Sequence, residues 1–148
     1  MIYLALYKGK GDWANELIRK KGRSPYSHCE LIVNDYMYSS TVSDKGVRRI
    51  SYSYEIWKSP DWDIIPVLWI EADDVLSFYE QTKHLPYGWK DIITHQLFNF
   101  PPNDNRGDFC SEWCAKALGI PDAQMYDPAK LERIVKWANK RYLENFTI

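Results

Sequence analysis

Two short segments of this chain carry the three side-chain types that nucleophilic cysteine chemistry requires. His28 and Glu30 lie two positions apart in a segment with the alternation of a β-strand, and Cys110 lies where a helix is predicted to begin. In such chemistry a thiol attacks a carbonyl, an imidazole holds the proton of the thiol, and an acceptor orients the imidazole. The candidate base precedes the candidate nucleophile in the chain, an unusual order that is itself informative.

Cys110 is better placed for this chemistry than Cys114. Asp108 is a good helix-capping residue, which puts Cys110 in the first turn of the predicted helix. In that turn the backbone N–H groups and the helix dipole favour a thiolate, and a backbone N–H can serve as an oxyanion donor. Cys114 follows one turn later. The alternative is that both thiols belong to the apolar stripe of a packed helix, since unbridged cysteines are among the most buried residues.

The segment around His28 is predicted to place its polar and apolar side chains on opposite faces. Side chains alternate along a strand, so His28 and Glu30 share one face, close enough for the carboxylate to reach the imidazole. The other face is apolar and is expected to meet the core; it carries Cys29, Leu31 and Val33. The alternative is a half-exposed strand whose polar face is only solvated.

The coarse pattern of the chain predicts an α+β class in a single domain over residues 1–148. Period-two alternation and turn residues predict strands over Ile2–Tyr7, 26–33, 36–40, 47–54 and 63–69. The last of these is expected at a sheet edge, because Pro66 cannot donate to a ladder. Helical spacing and capping residues predict helices over 12–20, 73–84, 89–98, 110–118 and 128–142, with a loop over 100–107.

Composition narrows the class of partner. The formal net charge is −1 and the densest basic run is short, so we expect no nucleic-acid or membrane partner. No apolar run reaches the length of a spanning helix, and the first residues lack the features of a signal peptide. The three cysteines cannot all pair within one chain, which favours a reducing compartment. The expected location is the cytoplasm, or the host cytosol if the protein is viral.

The sequence gives little support for a metal or a cofactor. Several ligand types are present, but no pair has the spacing of a structural zinc site. These residues are His28, Cys29, Glu30, His95, Cys110 and Cys114. The Gly9-Lys10-Gly11 turn lacks the third glycine of a dinucleotide fingerprint. We therefore expect no cofactor.

Two motifs resemble those of a known family. They are SHCEL at 27–31 on the predicted strand and FCSEWCAKALG at 109–119 at the predicted helix start. In this order they are similar to the His-x-Glu-Leu strand and Cys-Ser-Glu helix of the circularly permuted branch of the NlpC/P60 papain-like superfamily. Segments 23–28 and 39–49 add to the likeness with small bacteriophage and bacterial members. The resemblance covers roughly residues 1–120.

The resemblance implies a papain-like fold in which the nucleophile helix packs against an antiparallel sheet. It assigns Cys110 as nucleophile and His28 as general base, with Glu30 as the orienting group or, alternatively, Ser40. Tyr87 resembles an aromatic position that lines the substrate cleft in relatives. The chain departs from the pattern at Cys29 and Cys114, which stand where apolar residues are usual.

The function expected from the residues and the resemblance is that of a cysteine hydrolase, an amidase or peptidase. It would cleave an amide or ester of a peptide or small molecule through an acyl-enzyme. Two alternatives stay open. One is a catalytically silent papain-like module that binds or inhibits a protein through exposed Trp and Tyr. The other is lipid acyl transfer or thioesterase activity, which is less favoured because no basic amphipathic helix is present.

Overall fold

One antiparallel sheet and the helices beside it make up the described part of the chain. The computed structural model describes residues 1–10, 24–41, 44, 46–84 and 108–146. These residues form five strands and three α-helices, which confirms the predicted α+β class. The strands are β1 (Ile2–Tyr7), β2 (His28–Val33), β3 (Tyr36–Thr41), β4 (Gly46–Ser51) and β5 (Trp62–Val67). The helices are α1 (Ala72–Thr82), α2 (Asp108–Ala117) and α3 (Pro128–Glu144). The predicted helices over 12–20 and 89–98 and the predicted loop over 100–107 lie outside the described residues.

The sheet holds the candidate base at a strand end. Its strand order is β4-β3-β2-β1-β5, and every neighbouring pair is antiparallel. β5 is an edge strand, as predicted from Pro66, which has no N–H to donate. In the pairing of β1 with β2, Leu4 lies opposite Leu31 and Tyr7 lies opposite His28. Main-chain pairing with β1 therefore fixes the backbone of His28.

β4 is shorter than predicted. It ends at Ser51, whereas the alternation pattern predicts a strand to residue 54. A 3-10 helix over Tyr54–Lys58 follows, and the side chain of Ser53 caps it by accepting a hydrogen bond from the N–H of Glu55 at 3.3 Å. Serine side chains compete for backbone groups in this way and so favour caps over strand interiors.

Both faces of the sheet are buried. On the helix side lies the main core, which includes Leu4, Leu31, Val33, Val75, Trp113, Leu118, Leu131 and Val135. On the opposite side lies a smaller cluster of Ala5, Ile32 and Met37, with Tyr52 and Ile56 packed against it. β2 is therefore covered on both faces. The alternative interpretation, a half-exposed strand whose polar face is only solvated, is wrong for this segment, because Glu30 on the second face is only 2% exposed.

α2 ends as its sequence predicts. The N–H of Ile120 donates to the carbonyl of Ala115, and the N–H of Gly119 donates to the carbonyl of Lys116. Gly119 has a φ of 66°, in the left-handed region that this capping motif requires of the residue after the helix. The helix is thereby closed one turn after Cys114, and it packs against β2 and β3.

α3 also begins where predicted. Oδ1 of Asp127 accepts a hydrogen bond from the N–H of Lys130 at 2.8 Å, and Pro128 is the first helical residue. Further along, Asn139 joins the helix to the strand edge, since its amide donates to the carbonyl of Pro66 and accepts from the N–H of Leu68. None of the described helices is long and apolar enough to cross a membrane.

Trp113 is expected to be the costliest side chain of α2 to remove. It is fully buried, its indole N–H donates to Oγ1 of Thr82 at 3.1 Å, and its ring centroid lies 5.6 Å from that of Phe78. Trp113→Ala should therefore lower the free energy of unfolding by about 3–5 kcal/mol. Trp137, which is 55% exposed on α3, provides the matched control, and Trp137→Ala should change the free energy by about 0.5 kcal/mol or less. Urea unfolding measures both, and equal losses would contradict the core described above.

Candidate active site

β2 presents His28 and Glu30 as one unit. They lie on the same side of the strand, and Nε2 of His28 is 3.0 Å from Oε1 of Glu30. The side chain of His28 is 23% exposed, whereas that of Glu30 is 3% exposed. The imidazole therefore stands between a buried carboxylate and solvent, which is the position a base needs if it is to be oriented from behind.

α2 brings Cys110 to this imidazole. The helix begins at Asp108, which places Cys110 in its first turn, as predicted. The thiol of Cys110 and the imidazole of His28 lie close enough for each to shift the pKa of the other. The structure thus joins a thiol, an imidazole and a carboxylate in one series, although Cys110 is remote from the other two in sequence.

Arg48 completes the series, and sequence reasoning missed it. Its Nη2 lies 2.5 Å from Oε1 of Glu30, the same oxygen that faces His28. Its Nε lies 3.3 Å from Oδ2 of Asp44. Ser39 lies opposite Arg48 in the pairing of β3 with β4, and this small residue leaves the arginine room to reach β2. A buried carboxylate is costly without a cation beside it. The burial of Glu30 was thus the missing signal for a basic partner.

Glu30, and not Ser40, contacts the imidazole. Ser40 is 1% exposed, and its Oγ has no hydrogen-bond partner among the described residues. The second oxygen of Glu30, Oε2, is likewise buried without a hydrogen-bond partner in the described part of the chain. Of the two orienting groups left open by the sequence, the geometry favours Glu30.

Three thiols meet where α2 packs on β2. Cys29, Cys110 and Cys114 are each 0% exposed. The thiol of Cys29 lies close enough to those of Cys110 and Cys114 for both to affect its pKa, and Sγ of Cys114 donates to the carbonyl of Cys29 at 3.9 Å. Cys29 faces the core, as the alternation of β2 predicts.

The surroundings raise the pKa of both the thiol and the imidazole. For Cys110, the hydrogen bond with Cys29 and burial raise the pKa well above its ordinary value, while His28 acts in the opposite direction. For His28, burial lowers the pKa, but the contacts with Cys110 and Glu30 outweigh burial and raise it to about 10. The expectation that the helix start favours a thiolate is therefore wrong here.

Two further expectations concern groups around this series. Tyr87, the predicted cleft-lining residue, lies outside the described residues, as does His95. Within the described ranges, no group of three or more His, Cys, Asp or Glu side chains is arranged to hold a metal ion.

Comparison with known proteins identifies no relative of this chain. No family model matches the chain, and no curated protein or solved structure matches it significantly.

Proposed function

We propose that this chain is a cysteine hydrolase of the circularly permuted NlpC/P60 papain-like type, and that it cleaves an amide or ester bond. The observation that carries the proposal is the continuous series from Cys110 through His28 to Glu30. The 3.0 Å contact between imidazole and carboxylate fixes the ring, and the thiol of Cys110 lies close enough to the ring to raise its pKa. The packing of α2 against an antiparallel sheet also supports a papain-like arrangement.

In the first half of the reaction the neutral form of His28, which its raised pKa places in the alkaline range, takes the proton of Cys110 as the sulfur attacks the carbonyl carbon of the substrate. The carbonyl oxygen becomes negatively charged, and the backbone N–H of Cys110 is a donor for it, because first-turn N–H groups point out of the helix start. The charged imidazole then protonates the leaving amine or alcohol. The C–N or C–O bond breaks, and the acyl group remains on Sγ as a thioester.

In the second half His28 removes a proton from water, and the resulting hydroxide attacks the thioester. The C–S bond breaks, Cys110 recovers its proton, and the acid product leaves. Glu30 stabilises the imidazolium that forms in both halves, and Arg48 is a positioning residue that holds Glu30 against the ring.

A second candidate is a catalytically silent module that binds a peptide or protein. The complete burial of Cys110 favours it, because a substrate carbonyl must reach Sγ before any attack. The raised pKa of the Cys110 thiol also favours the silent module, because the thiolate is the nucleophile and a raised pKa reduces its population.

Alkylation of the native protein with iodoacetamide separates the two candidates when each cysteine is read by mass spectrometry. Under the hydrolase proposal Cys110 is alkylated first, and its rate increases through the alkaline range because the pKa of its thiol is raised. Cys29 and Cys114 stay protected until the protein unfolds. In His28→Gln the rate at Cys110 falls, because His28 is the group that lowers the pKa of this thiol.

The acyl-enzyme gives an independent readout. With p-nitrophenyl acetate as probe, a hydrolase releases a burst of p-nitrophenol and carries one acetyl group on Cys110. If Cys110 reacts with iodoacetamide only on unfolding, as slowly as Cys114, and no acetyl group accumulates, the hydrolase proposal fails and the binding module replaces it.

A further inference from the structure

Cys29 is a buried nucleophile that the proposed mechanism does not use. It follows His28 on β2, is 0% exposed, and its thiol contacts that of Cys110 across the interface between the strand and α2. Its backbone is held in place, because its carbonyl accepts hydrogen bonds from Oγ of Ser39 at 2.9 Å and from Sγ of Cys114 at 3.9 Å. An aliphatic side chain would fill the same space without placing a second sulfur beside the first.

The geometry selects Cys29 over Cys114 as a bonding partner for Cys110. A disulfide needs two Cβ atoms that approach each other with their bonds converging. Cys29 and Cys110 lie on two elements that pack together, β2 and α2, and are buried in the same core cluster. Cys110 and Cys114 project in the same direction from successive turns of one helix, an arrangement that resists bridging.

Of the three thiols, Cys110 is the one that is placed to react with an electrophile. It lies beside His28, which lowers the pKa of its thiol, and His28 is partly open to solvent. A small oxidant that arrives at the imidazole is therefore placed beside Cys110.

We propose that Cys29 is a resolving cysteine, which converts Cys110 oxidised by a hydroperoxide into a reversible Cys29–Cys110 disulfide. In the first step the sulfur of Cys110 attacks the hydroperoxide, the O–O bond breaks, and an alcohol or water leaves with the thiol proton, so that Cys110 becomes a sulfenic acid. In the second step the sulfur of Cys29 attacks that of Cys110. The S–O bond breaks, and the hydroxide leaves as water with the proton of Cys29. The two thiols lose two electrons and the hydroperoxide gains them.

The disulfide protects Cys110 from irreversible oxidation and removes its nucleophile until a thiol reductant restores it. This inference goes beyond the proposed function and does not require it, because the linkage forms between two side chains of the chain itself.

The test treats the full chain with hydrogen peroxide and maps its peptides by non-reducing mass spectrometry. The expected result is one linked peptide pair that joins Cys29 to Cys110 and disappears with dithiothreitol. Cys29→Ala should yield no link and should accumulate sulfinic acid on Cys110. Cys114→Ala is the matched control and should keep the link.

Three outcomes overturn the proposal: a link between Cys110 and Cys114, sulfinic acid on Cys110 of the unsubstituted chain without a link, or no oxidation of Cys110. The unsubstituted chain decides the matter even if a variant does not fold. The linkage is read by mass without substrate, so a chain that links but shows no hydrolysis retains this inference and loses only the proposed function.

Discussion

Replacing Cys110 with Ala is expected to reduce the hydrolysis of p-nitrophenyl acetate to the background rate, a loss in kcat/KM of about 10³-fold or more. Without Sγ no thioester can form, and the remaining groups can only polarise the carbonyl. The fold should survive, because the substitution removes one sulfur from the core at a cost of about 1–2 kcal/mol. Thermal unfolding measured beside the kinetics separates a lost nucleophile from a lost fold.

Cys114→Ala is the control for this prediction. Cys114 is as fully buried as Cys110 and lies one turn further along α2, so the two variants disturb packing to a similar extent. The control should keep most of its activity. Turnover that persists in Cys110→Ala would place the nucleophile elsewhere, and an equal loss in both variants would trace the effect to packing.

His28 and Cys110 could be identified from sequence because each stands at a locally recognisable point of its element. Alternation places His28 beside Glu30, and the signals around Cys110 predict a helix over 110–118 that is capped by Asp108 and ended by Gly119, close to the observed Asp108–Ala117. Both patterns depend on neighbours within a few residues, and local patterns of this kind are what propensity and capping rules describe.

Arg48 could not be chosen in the same way, because the choice depends on strand register. Arg48 and Arg49 are adjacent on β4 and therefore point to opposite faces. The guanidinium of Arg49 lies 4.6 Å from the ring centroid of Tyr36, whereas Arg48 reaches Glu30. Which of the two turns toward β2 follows from the pairing of Arg48 with Ser39, and nothing near the arginines specifies that pairing.

The pKa of the Cys110 thiol differs from the sequence expectation for a related reason. The position of the thiol at a helix start is a local feature and favours a thiolate. Its burial and its contact with Cys29 arise only when α2 packs on β2, and these non-local features raise the pKa of the thiol instead. Likewise, the 3-10 helix over Tyr54–Lys58 replaces the end of a predicted strand and packs Ile56 against the second face of the sheet, which local alternation does not predict. Local sequence patterns therefore could not predict chemical properties that depend on tertiary packing.

Glu30→Gln is the substitution expected to have the largest effect among the residues that do not bond to substrate. It keeps the shape of the side chain but removes the negative charge that faces Nε2 of His28 at 3.0 Å. Because burial lowers the pKa of His28 and the contact with Glu30 raises it, the pKa should fall below its value of about 10. At the same time kcat should fall roughly 10²–10⁴-fold, since the imidazolium loses the carboxylate that stabilises it.

The two effects change different features of the pH profile, its position and its height, which makes the prediction specific. A lower pKa makes the neutral imidazole available at lower pH, so the rise of kcat/KM with pH should move toward acid while its plateau drops. NMR titration of His28 measures the pKa, and steady-state kinetics with p-nitrophenyl acetate measures the plateau.

Glu112→Gln is the matched control, because Glu112 is also buried and pairs with Lys116 at 2.7 Å on α2. If Glu30 has only a structural role, Glu30→Gln and Glu112→Gln should both lose activity without a shift of the kcat/KM profile along the pH axis. An orienting role requires the acid shift in Glu30→Gln alone.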